Sequence, residues 1–129
     1  MILDTTFLVD LLHGSETVSE RVTDLDTSGT PFVSSITVME LFEGVHLADM
    51  ADAERTAVTD LLTETNELPF DRECAMRAGE INASLVESGS VIDETDVMIA
   101  ATALVNDYPV VTRNVDHFER VDGLEVVSY

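Results

Sequence analysis

The chain has 129 residues, 45% of them apolar, and its 26 acidic residues face 6 arginines and no lysine, a formal net charge of −20. This length and apolar content predict one domain over residues 1–129 with a buried core, and they exclude a disordered chain. No apolar run is long enough for a membrane helix, and the acidic start MILDTT lacks the basic segment of a secretory signal.

The single cysteine, Cys74, has no partner within the chain for a disulfide, which favours a reducing, cytoplasmic compartment and a buried thiol. The acids are spread along the whole chain rather than gathered in a tail. This distribution favours a halophilic surface, adapted to a very salty cytoplasm, over a site for cations or basic partners.

Short apolar segments bounded by prolines or turn residues predict strands, and apolar residues three and four apart predict helices. In chain order the sequence predicts a strand at 1–3, a helix at 15–28, a strand at 31–33, helices at 36–47 and 52–63, a strand at 68–70, helices at 74–86 and 97–105, and strands at 109–112 and 124–127. Strands that alternate with helices indicate a parallel sheet. The predicted fold is an α/β/α sandwich of three layers with about five short parallel strands.

Acidic side chains follow the ends of the predicted strands. Asp4 comes directly after the first strand, and Glu40 lies about one turn into the helix after the second. Asp96 begins the apolar helix that leads to the fourth strand, and Asn114 and Asp116 follow that strand. Because ligands of parallel α/β sheets bind at the carboxyl edge of the strands, we expect these groups to meet there.

Each of these residues also has an ordinary structural interpretation. Asp4 is a suitable N-cap for a helix at Thr5 or Thr6, and Glu40 suits the solvated face of its helix. Asp93 fits an N-cap within a capping box, the role that we assign to it, and Asp116 lies in a polar turn.

Four carboxylates at one edge need a positive partner. Two carboxylates 4 Å apart repel by roughly 4 kcal/mol at an effective dielectric constant of 20. Because the candidate ligands are oxygens, without a histidine or cysteine cluster, the sequence predicts Mg²⁺, with Mn²⁺ as the alternative, rather than Zn²⁺.

Four segments in order carry a family resemblance: MILDTTFLVDLL, SSITVMELFEG, VIDETDVMIAATAL and VVTRNVDHFERVDGLEV. Together they cover essentially the whole chain, which resembles a PIN-domain ribonuclease of the VapC toxin type. The resemblance implies a metal-dependent endoribonuclease, the toxin of a toxin–antitoxin pair. It also implies a homodimer and a cognate antitoxin that inserts a peptide into the active-site groove.

The resemblance assigns roles residue by residue. Asp4, Glu40 and Asp96 match the family's first three acids, and Asp4 and Asp96 would hold the metal, with Glu40 completing the cluster. At the fourth position the chain departs from the family. Many members have an acid immediately before the phenylalanine, where this chain has His117, and Asp116 stands one residue earlier.

The fourth site residue is therefore either Asp116, by a small shift of the loop, or Asn114, which would orient the metal-bound water, with Thr112 supporting by a hydrogen bond. The harder carboxylate oxygen favours Asp116 over His117. Candidates to contact RNA phosphates are Arg72, Arg77, Arg113 and Arg120.

Two other functions compete with the toxin. A catalytically silent PIN-like module that only binds protein is consistent with the missing fourth acid. A nuclease of RNA maturation would use the same site, but such enzymes usually carry a further zinc or RNA-binding domain.

Overall fold

The computed structural model describes residues 1–47 and 52–129, except for the side chains of residue 23 and of residues 25–28. The predicted apolar position Leu25 lies outside the described side chains. The elements follow in the order β1 (Ile2–Leu3), α1 (Thr5–Leu12), α2 (Glu16–Ser28), β2 (Phe32–Ser34), α3 (Ser35–Leu47), α4 (Asp52–Thr63), β3 (Asn66–Leu68), α5 (Arg72–Glu87), α6 (Glu94–Asn106), β4 (Val110–Val111), α7 (Val115–Phe118) and β5 (Val126–Val127).

The strands of the described residues form one parallel sheet in the order β3-β2-β1-β4-β5. Successive residues of β1 enter different cores, because side chains alternate between the two faces of a strand. Ile2 packs with apolar residues of α5 and α6, whereas Leu3 packs with those of α1, α3 and α4. Helices therefore cover both faces of the sheet, which confirms the predicted α/β sandwich.

The third strand lies two residues earlier than predicted. It spans Asn66–Leu68 and ends before Pro69, whereas the sequence pattern placed Pro69 inside it. Proline has no N–H for a ladder, so a strand that pairs with β2 stops there. The next donor, Phe70 N, bonds instead to Ser35 Oγ at 2.9 Å, which joins this turn to the start of α3.

Two short helices, α1 and α7, were not among the predicted elements. Helix α1 spans Thr5–Leu12, where threonines and apolar residues obscure the helical pattern, and α7 is only four residues long. Phe118 of α7 is fully buried and fixes this turn against the core. Cys74 is buried, as predicted. None of the helices in the described ranges is both long and apolar enough to cross a membrane.

Candidate active site

Asp4 lies at the carboxyl end of the central strand β1 and is only 2% exposed. It occupies the N-cap position of α1, but its side chain makes no capping hydrogen bond. Instead Asp4 Oδ2 accepts hydrogen bonds from Thr6 Oγ1 at 2.9 Å and from Thr112 Oγ1 at 2.8 Å. The Asp4 side chain is thus held at the sheet edge by two hydroxyl groups rather than used as a helix cap.

Glu40, one and a half turns into α3, is half-buried beside Thr5 and is not on a solvated helix face. Thr5 Oγ1 donates to Glu40 Oε1 at 2.7 Å, and Thr5 Oγ1 lies 3.1 Å from Thr37 Oγ1. Burial is the main cause that raises the pKa of Glu40, the Thr5 bond opposes it, and the charges of Asp4 and Asp96 raise it further. Glu40 and these two aspartates therefore belong to one electrostatic cluster.

Asp96 is 7% exposed in the first turn of α6. Its Oδ2 lies 2.8 Å from Nδ1 of His117 in α7. Burial is the main cause that raises the pKa of Asp96; the bond to His117 lowers it, and the charges of Asp4 and Asp93 raise it. His117 thus stabilises the ionised form of Asp96, which burial and the neighbouring negative charges destabilise.

Asp93 holds the N-cap position of α6, as the capping-box pattern predicts, but its side chain makes no capping bond. It is free to face the cluster: ligand atoms of Asp93, Asp96 and His117 lie within 4.8 Å of one another. The sequence contained a signal for this grouping, because residues three apart in a helix share a face. The capping-box pattern predicts a capping role for Asp93, with at most a supporting place near the site.

The segment after β4 contains the remaining predicted site residues, and the structure places Asn114 in the groove and Asp116 outside it. Thr112 Oγ1, which donates to Asp4, also accepts from Asn114 N at 2.9 Å, and Asn114 lines the groove. Asp116 is exposed and is not among the lining residues. Because buried Phe118 and the His117–Asp96 contact fix α7, Asp116 is turned about 100° away from residue 117, toward solvent.

These side chains surround an open groove of about 200 Å³. It is lined by Asp4, Thr5, Thr6, Val9, Glu40, Asp93, Thr95, Asp96, Arg113 and Asn114. Within this lining Arg113 carries a positive charge, and four side chains are acidic, those of Asp4, Glu40, Asp93 and Asp96. A larger cavity of about 500 Å³, next to Met1, Phe32 and Tyr108, contains none of the predicted site residues.

The donor set of the groove fits a hard divalent cation. Its carboxylates are partly desolvated and mutually repulsive, so that a bound dication would relieve the burial and repulsion that raise the pKa values of Glu40 and Asp96. Two overlapping sets are possible: the electrostatic cluster of Asp4, Glu40 and Asp96, and the geometric group of Asp93, Asp96 and His117. We favour the first for Mg²⁺ or Mn²⁺, because its donors are all oxygens and His117 Nδ1 is already engaged with Asp96.

Comparisons with known proteins identify the family of this chain. A family model described as PIN domain matches residues 1–124. The chain is 32% identical over 129 residues to the tRNA(fMet)-specific endonuclease VapC of Salmonella typhimurium, covering 99% of this chain and 96% of that protein. The solved DNA-bound VapBC from Salmonella typhimurium matches with a TM-score of 0.84 and 30% identity over 98% of this chain and 96% of the other. In fold, the chain is similar to VapBC2 from Rickettsia felis bound to promoter DNA, with a TM-score of 0.91 and 23% identity over 99% and 97% of the two chains.

Proposed function

The chain belongs to the PIN domain family, among the VapC ribonucleases, and we propose that it is a metal-dependent endoribonuclease, the toxin of a toxin–antitoxin pair. One observation carries this proposal: Asp4, Glu40 and Asp96 come from three separate segments and form one desolvated, mutually repelling cluster in an open groove. A fold alone does not require buried acids to converge in this way.

Asp4 and Asp96 would hold Mg²⁺, or alternatively Mn²⁺, with Glu40 completing the negative charge of the site. A bound divalent ion supplies two kinds of chemistry there: it lowers the pKa of water and neutralises charge on the phosphate that is cleaved.

The protein's own contribution is to hold these carboxylates in place. Thr6 and Thr112 fix Asp4, Thr5 fixes Glu40, and His117 fixes Asp96. One oxygen of each acid thus has a hydrogen-bond partner that orients it, and such preorganisation avoids a rearrangement during the reaction.

At the fourth position we propose Asn114 as a groove residue that orients water, and His117 as the residue that holds Asp96. Asp116, the residue favoured by its harder oxygen, would need α7 to turn before it joined the cluster. Substitution of Asp116 tests whether α7 makes that turn.

The solved structures to which this chain is similar are VapBC assemblies, one of them bound to promoter DNA. We propose by analogy that this chain forms a homodimer and binds a small antitoxin protein that occupies the groove. Its substrate is an RNA, and transfer RNA is the class to test first, because the relative from Salmonella typhimurium is named for one. We propose a cytoplasmic site of action at high salt, as the charge of −20 favours.

The direct test is cleavage of total RNA and of purified transfer RNA by the protein during a titration with Mg²⁺ and Mn²⁺. We expect cleavage that EDTA stops and that Asp4→Asn and Asp96→Asn each reduce at least a hundredfold, with the fold retained by circular dichroism. Binding of an antitoxin without cleavage in either metal would instead establish the silent module. Trimming of one precursor RNA, with no effect on growth when the protein is expressed alone, would favour the maturation nuclease.

A further inference from the structure

Arg113 is the positive side chain among the groove-lining residues, and its surroundings hold it in a defined place. Its side chain is 60% exposed, and its Nη1 donates to Asp10 Oδ1 at 3.1 Å. Its backbone N lies 3.4 Å from Thr6 Oγ1, the hydroxyl that donates to Asp4. Arg113 is therefore joined to the carboxylate cluster through its backbone and to α1 through its guanidinium.

The second oxygen of Asp10 is also occupied. Tyr129 Oη donates to Asp10 Oδ2 at 2.8 Å, so that Arg113 and Tyr129 bind the two oxygens of one carboxylate. The Tyr129 ring packs edge-on against the buried Phe7, with ring centroids 4.9 Å apart. This line of contacts, from Phe7 through Tyr129 and Asp10 to Arg113, fixes the carboxylate on which the guanidinium rests.

The Tyr129 hydroxyl keeps its proton over the working range of pH. Burial is the main cause that raises the pKa of Tyr129, to about 12, and the neighbouring Asp10 raises it as well. The hydroxyl therefore remains a donor to Asp10.

We propose that Arg113 binds a phosphate of the RNA in the groove and that Asp10, held by Tyr129, positions its guanidinium for that contact. The inference rests on the proposed ribonuclease function. A guanidinium has five N–H donors in a planar fork that matches phosphate, and one contact to Asp10 leaves others available.

The negative charge of the molecule creates a need for a positive side chain such as Arg113 in the groove. RNA phosphates must approach a groove lined by four acids on a chain with net charge −20. Arg113 is the positive charge that the lining offers to oppose this repulsion. Because the Arg113 side chain is 60% exposed whereas that of Asp10 is 17% exposed, a phosphate can reach the open side of the guanidinium while the contact with Asp10 stays in place.

The test compares Arg113→Gln with Arg77→Gln. Arg77 was predicted from the sequence as a phosphate contact, but it lies in α5 and does not line the groove. It is a matched control, because it is also an exposed arginine paired with an acid, Glu80 at 3.7 Å. The readouts are kcat, KM and, for a labelled single-stranded RNA, affinity against KCl concentration in an Asp96→Asn background that does not cleave.

We expect Arg113→Gln to raise KM about tenfold with a much smaller change in kcat. The slope of log affinity against log KCl should shrink by about 0.7, the value for one phosphate contact on a single strand. Arg113→Lys should restore the salt slope, because lysine restores the positive charge. It should reverse only part of the rise in KM, because lysine lacks the planar fork of donors of the guanidinium. Arg77→Gln should match the wild type.

The positioning role has its own test, Tyr129→Phe, which removes one hydroxyl and no charge. We expect KM to rise two- to threefold with an unchanged salt slope, and no further effect in the double variant with Arg113→Gln, because the hydroxyl acts through Arg113. Tyr108→Phe, at the opposite edge of the sheet, is the control and should be neutral.

The outcomes separate this inference from the proposed function. If the wild type cleaves RNA but Arg113→Gln behaves like Arg77→Gln in KM and slope, Arg113 has no phosphate contact and the inference is wrong. Additive effects of Tyr129→Phe and Arg113→Gln would overturn the positioning role. If the wild type neither binds nor cleaves RNA in Mg²⁺ or Mn²⁺, the proposed function itself fails. If Arg113→Gln does not fold, the KM of Arg113→Lys still tests the phosphate contact, and the KM of Tyr129→Phe still tests the positioning role.

Discussion

At the scale of single residues, the site depends on threonine hydroxyls that hold acids in a strongly acidic chain. Thr5, Thr6 and Thr112 each donate to a site carboxylate. A hydroxyl stabilises an anion without cancelling its charge, so the negative potential that would attract a metal ion is retained. A lysine or arginine in the same place would have neutralised it.

The raised pKa of Glu40 predicts a stability effect of Glu40→Gln. A carboxyl whose pKa is raised in the folded state binds its proton more tightly there than in the unfolded chain, so its ionisation destabilises the fold as pH rises above the ordinary value of 4.5. In EDTA at pH 7 we expect Glu40→Gln to melt a few degrees above the wild type. The difference should disappear below about pH 4.5, where both side chains are neutral.

Thermal melts in EDTA from pH 4 to pH 8 at fixed KCl measure this difference. Glu43→Gln, one turn on and exposed, is the control for removal of one negative charge from the same helix. A stabilisation by Glu40→Gln that grew toward low pH would contradict the burial of this carboxyl.

Substitutions after β4 will decide the fourth site residue. We expect His117→Ala to raise the Mg²⁺ concentration for half-maximal cleavage most, because Asp96 then loses its 2.8 Å partner. Asn114→Ala should have a smaller effect, and Asp116→Ala should resemble Asp122→Ala, an exposed control. If Asp116→Ala gives the largest shift, α7 turns on metal binding and the order inferred from residue chemistry is restored.

The three acids were identifiable from the sequence, but their neighbours were less so. The position of Asp4, Glu40 and Asp96 after strands follows from the alternation of strands and helices, which is a pattern in the sequence. The difference between Asp116 and His117 depends on the rotation of one helical turn, which is set by burial of Phe118 in a distant core. Local sequence does not encode that rotation.

At the scale of secondary structure, three helices of the described residues, α1, α5 and α6, begin with an aspartate at the N-cap, and only α5 is capped by the aspartate side chain. Asp71 Oδ1 accepts from Cys74 N at 3.0 Å at the start of α5, whereas the Asp93 side chain makes no such bond at the start of α6. An aspartate at the N-cap thus stabilises α5 by capping it, whereas the aspartate at the same position of α6 lines the groove.

This contrast predicts opposite effects of two similar substitutions. Asp71→Ala should lower the melting temperature by about 3–5 °C at pH 7, since an orphan backbone N–H loses its acceptor. Asp93→Ala should not lower it in EDTA, because it removes a like charge beside Asp96, but it should weaken Mg²⁺ binding. Melting curves and metal titrations of the two variants test this. A loss of stability in Asp93→Ala equal to that in Asp71→Ala would mean that Asp93 caps its helix.

The order of the elements was largely predictable, and their boundaries were not. The five strands were predicted from short apolar segments, but β3 moved by two residues because pairing with β2 and the missing N–H of Pro69 decide its end. The sequence indicates helix α1 only through the alternative role of Asp4 as an N-cap, since Thr5, Thr6 and Val9 are residues that favour strands. Packing of Phe7 and Leu8 into the core overrides that preference.

At the scale of the whole molecule, the charge of −20 predicts stability that depends on salt. The Debye length falls from about 10 Å at 0.1 M to about 3 Å at 1 M, so repulsion across the surface weakens greatly over this range. We expect the melting temperature to rise by roughly 5 °C or more between 0.1 M and 2 M KCl. At pH 4, where many carboxylates are neutral, the increase should be smaller. A melting temperature independent of KCl at pH 7 would remove the case for a salty cytoplasm.

The central place of β1 in the sheet has a consequence for the protein's own synthesis. β1 pairs with β4, and Asp4 is held by Thr112, 108 residues further along the chain. A ribosome releases residues 1–4 long before residues 110–117, so a nascent chain has Asp4 without Thr112 and Asp96 without His117. The groove in which we propose that RNA is cleaved is therefore assembled only as translation of the chain nears completion, and an unfinished copy beside its messenger RNA lacks the complete groove.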